Sequence, residues 1–216
     1  MNDVAAAAWL SVRIASAATL VCLLVGVPLA WLMARRRFKG HGLAEGLILL
    51  PIVLPPTVVG YVLLVLFGAG GIIGRFLGGY SITFRFEGAV LAAVVVSLPM
   101  IYLPAKAAFA SIERELEDIA TLMGASRWQT FWHVSVPLAR RGLLSGATLA
   151  FARALGEFGA TVMVYGWQPG RLTLPISVYA EFDHGDLSTA WPAVLVMAAA
   201  ALALVLVYNT LTAKRD

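Results

Sequence analysis

The sequence is poor in charge, in cysteine and in histidine. Only 13% of its 216 residues are Asp, Glu, Lys or Arg, about half the share in a soluble domain. In their place 60% are hydrophobic, and the mean hydropathy is +0.85. That balance excludes a water-soluble globular domain. The single cysteine, Cys22, sits in an apolar run and excludes a disulfide framework or thiolate cluster. His41, His133 and His184 lie far apart and fit no metal-ligand spacing. No stretch reads G-x-x-x-x-G-K-[ST], G-x-S-x-G or H-E-x-x-H, so P-loop nucleotide binding, the nucleophile elbow and the zinc-peptidase pair are all missing. The expectation is a non-enzyme with no cofactor of its own. A net charge of +4 would suggest nucleic acid in a soluble chain. Here the basic residues flank apolar runs, the pattern that encodes membrane orientation, so lipid is the expected surrounding and nucleic acid is not a partner.

What is abundant is long apolar sequence. A spanning helix needs roughly 20 apolar residues to cross about 30 Å of hydrocarbon. Residues 5–34, 43–67, 88–110 and 190–211 meet that length, and 138–164 meets it despite Arg153 and Glu157. The expected fold is an all-α integral membrane protein with five spans in one domain over residues 1–216. A sixth crossing over 172–182 is the alternative, although that stretch follows Pro169, contains Pro175 and is short, which favours an external or re-entrant helix. The first span has Asp3 ahead of it and its basic cluster behind it, the reverse of a cleaved signal peptide, so it is read as retained.

Lys and Arg set the orientation. With the N-terminus outside, the inner segments hold Arg35, Arg36, Arg37, Lys39, Lys106, Arg114, Arg127, Arg140, Arg141, Lys214 and Arg215. The outer segments hold Arg75, Arg85 and Arg171, and Arg13 and Arg153 fall within spans. Eleven against three predicts N-out, C-in.

Prolines mark bends. Pro51, Pro55 and Pro56 fall in the second span, and Pro99 and Pro104 are expected to break the third. Such bends are static kinks that shape packing, or hinges and gates; repeated in neighbouring spans, they suit a pore.

The longest inner segment, about 111–139, carries an acidic helix. Ile112, Leu116, Ile119 and Met123 recur at helical spacing, opposite Glu113, Glu115, Glu117 and Asp118. Gly124 ends the helix as a C-cap residue does. Trp128, Phe131 and Trp132 follow as exposed aromatics, and Pro137 opens the next span. Such a helix either lies on lipid or inserts into a partner's groove. Lipid-surface helices favour a basic polar face, so the acidic face here points to partner docking.

Asp118-Ile119-Ala120, then Gly124, Val134 and Val136-Pro137 at their spacings, resemble the EAA loop of ABC importer permeases. Asp118 stands where Glu is usual and Ile119 where Ala is usual. Leu50-Pro-Ile-Val-Leu-Pro-Pro-Thr-Val-Val-Gly-Tyr61 and Phe151-Ala-Arg-Ala-Leu-Gly-Glu-Phe-Gly-Ala-Thr161 are similar to molybdate permeases, with tungstate and sulfate permeases close to them. The resemblance implies a coupling helix docked on an ATP-binding subunit, through Glu117, Asp118, Ile119, Ala120, Met123, Gly124, Ala125 and Trp128. It also implies a homodimeric pore of bent spans, two ATPase subunits that bind the ATP and Mg, and an external oxyanion-binding protein. The setting it implies is the cytoplasmic (inner) membrane of a bacterium or archaeon. A non-transport membrane scaffold is the rival from another class.

Arg153 and Glu157, four apart on one expected helix, lie near mid-membrane. Intramembrane charge marks a pathway or a buried pair. Arg153 lines an anion path on the first reading; on the second the pair neutralises itself and packs the structure, with Gly156 and Gly159 permitting close helix approach.

Overall fold

The computed structural model describes residues 4–76, 78–168, 170–185 and 187–213; Asp3, Pro169, Lys214 and Arg215 lie outside them. Helix α1 (Val4–Arg35) buries mostly small residues along one side, among them Ala7, Ser11, Ala15, Ala18, Cys22, Gly26 and Ala30. Between helices in lipid, small side chains let backbones approach and packing supplies the attraction. A methyl on Gly26 would stand 2.9 Å from the Ile101 side chain.

The second apolar run is two helices. α2 (His41–Val53) stops at Leu54, and α3 (Pro56–Phe67) restarts with proline at its first position. Leu54 and Pro55 are both extended, with ψ of 140° and 133°, because a residue that precedes proline is pushed out of the α region. Pro55 therefore ends the expected 43–67 span and Pro51 lies inside α2. The stretch long and apolar enough to cross a membrane is Pro56–Phe76, which includes α4 (Ile72–Phe76). α2 is a shorter apolar helix with no buried residue, tied to the helix over Phe86–Ala110 where Glu45 pairs with Lys106 and accepts a 3.4 Å hydrogen bond from Tyr102.

α5 (Phe86–Ala110) is the central helix, and it runs through both Pro99 and Pro104. The expected break is not there: α5 is held on both sides, which fixes its course despite the missing donors. Ile101 meets Gly26 of α1 on one side and Gly146 on the other, where an added methyl would be 3.2 Å from its Cα.

Beyond α5 come α6 (Arg114–Leu122), α7 (Arg127–Thr130), a π-helical turn (Phe131–Ser135) and α8 (Val136–Leu155), with Pro137 in the first turn of α8. The fourth apolar run is also broken. α8 gives way to α9 (Gly159–Tyr165) at a bend of 59°, so Arg153 and Glu157 do not share one helix. α10 (Leu174–Asp183) is the short helix expected over 172–182; its Leu174 N–H donates to Ser11 Oγ of α1 at 2.8 Å. α11 (Leu187–Thr212) shows large exposed apolar side chains such as Leu195, Leu202 and Val205, as suits a helix facing hydrocarbon. Among the described residues four helices are long and apolar enough to span, five with the bent α8–α9 pair.

Candidate functional site

The connection between α5 and α8 is folded against the end of α1. Glu117 of α6 pairs with Arg35 through both oxygens: Oε1 accepts from Nη2 at 3.1 Å, and Oε2 stands 2.9 Å from Nε as an ion-pair contact. Ser135 Oγ donates to the same Oε1 at 2.6 Å, and Arg35 Nη2 also reaches the Ile112 carbonyl at 3.1 Å. The two charged side chains are only 11% and 14% exposed. Glu117 was expected on the docking face; its carboxylate is instead turned inward, because Arg35 and Ser135 satisfy it there.

Phe131 is a second anchor and corrects the expectation of an exposed aromatic. It is buried at the centre of a ring cluster, 5.1 Å from Trp31, 6.1 Å from Phe109, 5.4 Å from Trp128 and 5.1 Å from Trp132 by centroid. Such pairs prefer tilted or offset geometry and add to plain burial. Ile112 is buried as well.

What remains outward is apolar. Leu122 and Met123 are 87% and 84% exposed and Trp128 is 61% exposed, with Leu116, Ile119 and Trp132 also open. Asp118 is exposed, while Ala120 and Ala125 are half-covered. Gly124 makes the turn between these groups. Its φ is +93°, its own N–H bonds the Thr121 carbonyl at 3.0 Å, and the Ala125 N–H bonds the Ala120 carbonyl at 3.0 Å. That pair of bonds is a Schellman motif, so Ala120 supplies one of the carbonyls that Gly124 allows to be capped. Ser126 then starts α7 with a capping box, accepting from Gln129 N at 3.3 Å while its own N–H donates to Gln129 Oε1 at 2.8 Å. The result is a capped tip whose Leu122 and Met123 side chains stand largely exposed, while Trp128 keeps one face on Phe131.

The two broken runs meet. A methyl on Gly60 of α3 would lie 2.7 Å from Ala160 Cα of α9, and one on Gly159 would lie 3.0 Å from Pro56 Cβ. Gly159 therefore permits the expected close approach. Gly156 does not; its surroundings are open and it ends α8. Glu157 fills the break. One carboxylate oxygen accepts from the Ala160 N–H at 2.7 Å, and the other faces Arg153 Nη1 at 2.6 Å. Glu157 is almost wholly buried, whereas the Arg153 side chain is 30% exposed. The carboxylate thus caps α9 as well as pairing with Arg153. Pro56 and the Arg153–Glu157 pair belong to one region through Gly159; Pro51 stays in α2 and Pro99 is buried within α5.

Sequence reasoning missed Arg35, Ser135 and Trp31 as members of the site. Arg35 was read only as an orientation charge, and its partner lies 82 residues away, beyond any local pattern.

Two solved structures share this fold. A bacterial alginate ABC transporter in complex with alginate pentasaccharide-bound periplasmic protein matches at TM-score 0.73 and 17% identity, over 96% of this chain and 77% of that one. The MetNI methionine ABC transporter in inward facing conformations matches at TM-score 0.63 and 18% identity, over 95% and 94%. These likenesses establish the fold alone: the same arrangement of helices over nearly the whole chain. Residues 26–214 match the family described as binding-protein-dependent transport system inner membrane component, and the chain belongs to that family. It is 39% identical over 206 residues to the molybdenum transport system permease protein ModB of Escherichia coli, covering 93% of this chain and 90% of the relative. Proteins of the same description from Mycobacterium tuberculosis and Azotobacter vinelandii are each 42% identical, over 90% and 83% of this chain and 75% and 80% of theirs. The chain is accordingly a multi-pass permease component.

Proposed function

We propose that this chain is the transmembrane permease subunit of an ATP-driven oxyanion importer, with molybdate as the oxyanion. The observation that carries the transport reading is the rigid apolar tip at Leu122, Met123 and Trp128, braced from below by Arg35–Glu117 and Phe131. A tip that is capped, braced and turned outward passes on a displacement imposed from outside, which a lipid-surface helix has no need to do. The choice of molybdate is supported by the relatives named for molybdenum transport.

In this reading residues 1–216 form one transmembrane domain, oriented N-out and C-in, and two copies enclose the path. The segment 111–139 docks on a cytoplasmic ATP-binding subunit, one per copy. ATP and Mg bind that partner and no cofactor binds this chain. Asp118, Ile119, Ala120, Met123, Gly124, Ala125 and Trp128 make the contact or shape it, while Glu117 holds it in place. An external binding protein delivers the oxyanion. Closure of the ATPase pair moves the tip, and the connected α7–α8 rod carries the motion to the break at Glu157, where α9 and α3 move together between two exposures of the path. The Arg153–Glu157 pair serves mainly to cap and pack that joint, since a carboxylate held at 2.6 Å neutralises much of the guanidinium charge.

Expression with the candidate ATPase and binding protein in a strain lacking molybdate uptake tests the reading. The ATPase should co-purify in equal stoichiometry, and labelled molybdate uptake should depend on ATP and on the binding protein. Uptake displaced by equimolar sulfate or tungstate would reassign the substrate. A complex that assembles and moves no oxyanion would leave the scaffold alternative standing.

A further inference from the structure

At one end of the bundle the start of α1, the turn before α5 and the loop after α9 enclose a cavity of about 730 Å³. Its lining includes Arg13, Arg85 and Arg171, together with Tyr165 and Gln168. We infer that this cavity binds a tetrahedral oxoanion group, either a free oxyanion or the phosphate of a phospholipid headgroup.

Three arginines line one cavity from three separate elements. Among the described residues no carboxylate forms an ion pair with any of them. Like charges gathered beside a low-dielectric wall repel one another, and an anion among them turns that repulsion into attraction. The guanidinium fork matches oxygens on a tetrahedral centre.

The cavity wall is built and strained. Phe84 has φ of +61°, the only described non-glycine residue on the positive side. It is held there by its N–H to the Val164 carbonyl at 2.8 Å and by Gln168 Nε2, which donates to the Phe84 carbonyl at 2.7 Å and the Tyr165 carbonyl at 3.0 Å. Gly166, at φ +77°, leaves room for the Phe84 ring, which a methyl there would approach to 2.8 Å. Backbone held in a sparsely populated region tends to mark a functional constraint. Arg13 lies 5.2 Å over the ring of Phe86, itself part of the lining, whereas Arg85 lies 5.0 Å over Tyr80 beside the cavity, so Arg13 and Arg171 are its principal cations.

Position along α1 fits an interfacial site. Arg13 and Arg35 are about 33 Å apart at 1.5 Å per helical residue, close to the thickness of the hydrocarbon layer. If Arg35 marks one boundary, Arg13 marks the other. Trp9, exposed one turn from Arg13 on the same lining, suits the headgroup level. The inference rests on the transport reading only for which side of the membrane this is.

The full-length chain, purified in detergent and stripped of lipid, tests it in two arms without any ATPase. One arm measures equilibrium binding of labelled inorganic phosphate and labelled molybdate. The other measures retention of phosphatidylglycerol against phosphatidylcholine by native mass spectrometry. One anionic group per chain is expected. Binding in the first arm alone assigns a free oxyanion; preference for phosphatidylglycerol in the second alone assigns a headgroup. Arg13→Gln with Arg171→Gln should weaken the positive arm at least tenfold, and Arg13→Lys should keep most of it. Arg85→Gln, on an exposed turn residue, supplies a second variant should the double fail to fold, with several-fold loss expected. No binding in either arm by wild type, or wild-type binding by folded variants, overturns the site. Its fate is separable from the transport reading, which rises or falls with molybdate uptake.

Discussion

Glu117 takes Arg35 with both carboxylate oxygens, joining the far end of the first span to the connection between the third and fourth. Little of this pair reaches solvent, so screening is weak, and loss of either partner leaves the other poorly satisfied. Glu117→Ala and Arg35→Ala should each cost about 2 kcal/mol, with strong non-additivity in the double variant. Thermal unfolding of all four proteins in one detergent measures the coupling; additive losses would show that the bridge is not a working unit.

Gly124 is constrained by its backbone and not by space, since nothing lies within 4 Å of where a Cβ would stand. Gly124→Asn, which tolerates positive φ, should be mild. Gly124→Val should lose about 1–2 kcal/mol and loosen α6. Co-purification of the ATPase with each variant reads the effect, and equal retention by Asn and Val variants would count against the capping role.

Met123→Ser with Trp128→Ala removes outward apolar surface and touches the ring cluster through the Trp128 contacts with Phe131 and Trp132. The protein should insert and keep most of its melting temperature, yet lose ATPase association by at least tenfold. A variant that still brings down the ATPase in equal stoichiometry would move the docking surface elsewhere.

Glu157 has two jobs that two substitutions separate. Glu157→Gln keeps an oxygen for the Ala160 N–H but loses the charge facing Arg153; Glu157→Ala loses both. Uptake should fall in the first and nearly vanish in the second, with ATPase association intact in each. Normal uptake in Glu157→Gln would remove the charge from the mechanism.

Reporter fusions after residues 38, 78, 124 and 168 test the orientation argued from Lys and Arg. Cytoplasmic reporters should be active at 38 and 124, and external reporters at 78 and 168. The reverse pattern would invert both the docking and the anion-cavity assignments.

The helical membrane class was legible because apolar length and positive-charge bias are properties of whole segments. The turn at Gly124 was legible too, since only a few residue types accept its φ. The break at Leu54 and Pro55 was half visible: proline placed the disturbance, but the double proline ends a helix, whereas α5 continues through the single Pro99. Glu157 was misplaced on a continuous helix because its hydrogen bond to Ala160 competes with the backbone in a way that spacing cannot foresee. The inward turn of Glu117 and the burial of Phe131 were not legible at all. Both depend on α1, which reaches the connection only in three dimensions.

Gly60 brings α3 against α9 so closely that a methyl there would meet the Ala160 backbone at 2.7 Å and Met163 Cβ at 2.8 Å. A cell membrane that stores a voltage must be tight to protons and hydrated ions along every protein seam. A methyl at Gly60 would pry this one open. Gly60→Ala should therefore show itself as electrical leak: liposomes carrying the variant should lose an imposed potential faster than those carrying wild type, with ATP absent. Equal decay would mean that the seam closes over the extra carbon, and that ion tightness in this molecule is secured elsewhere.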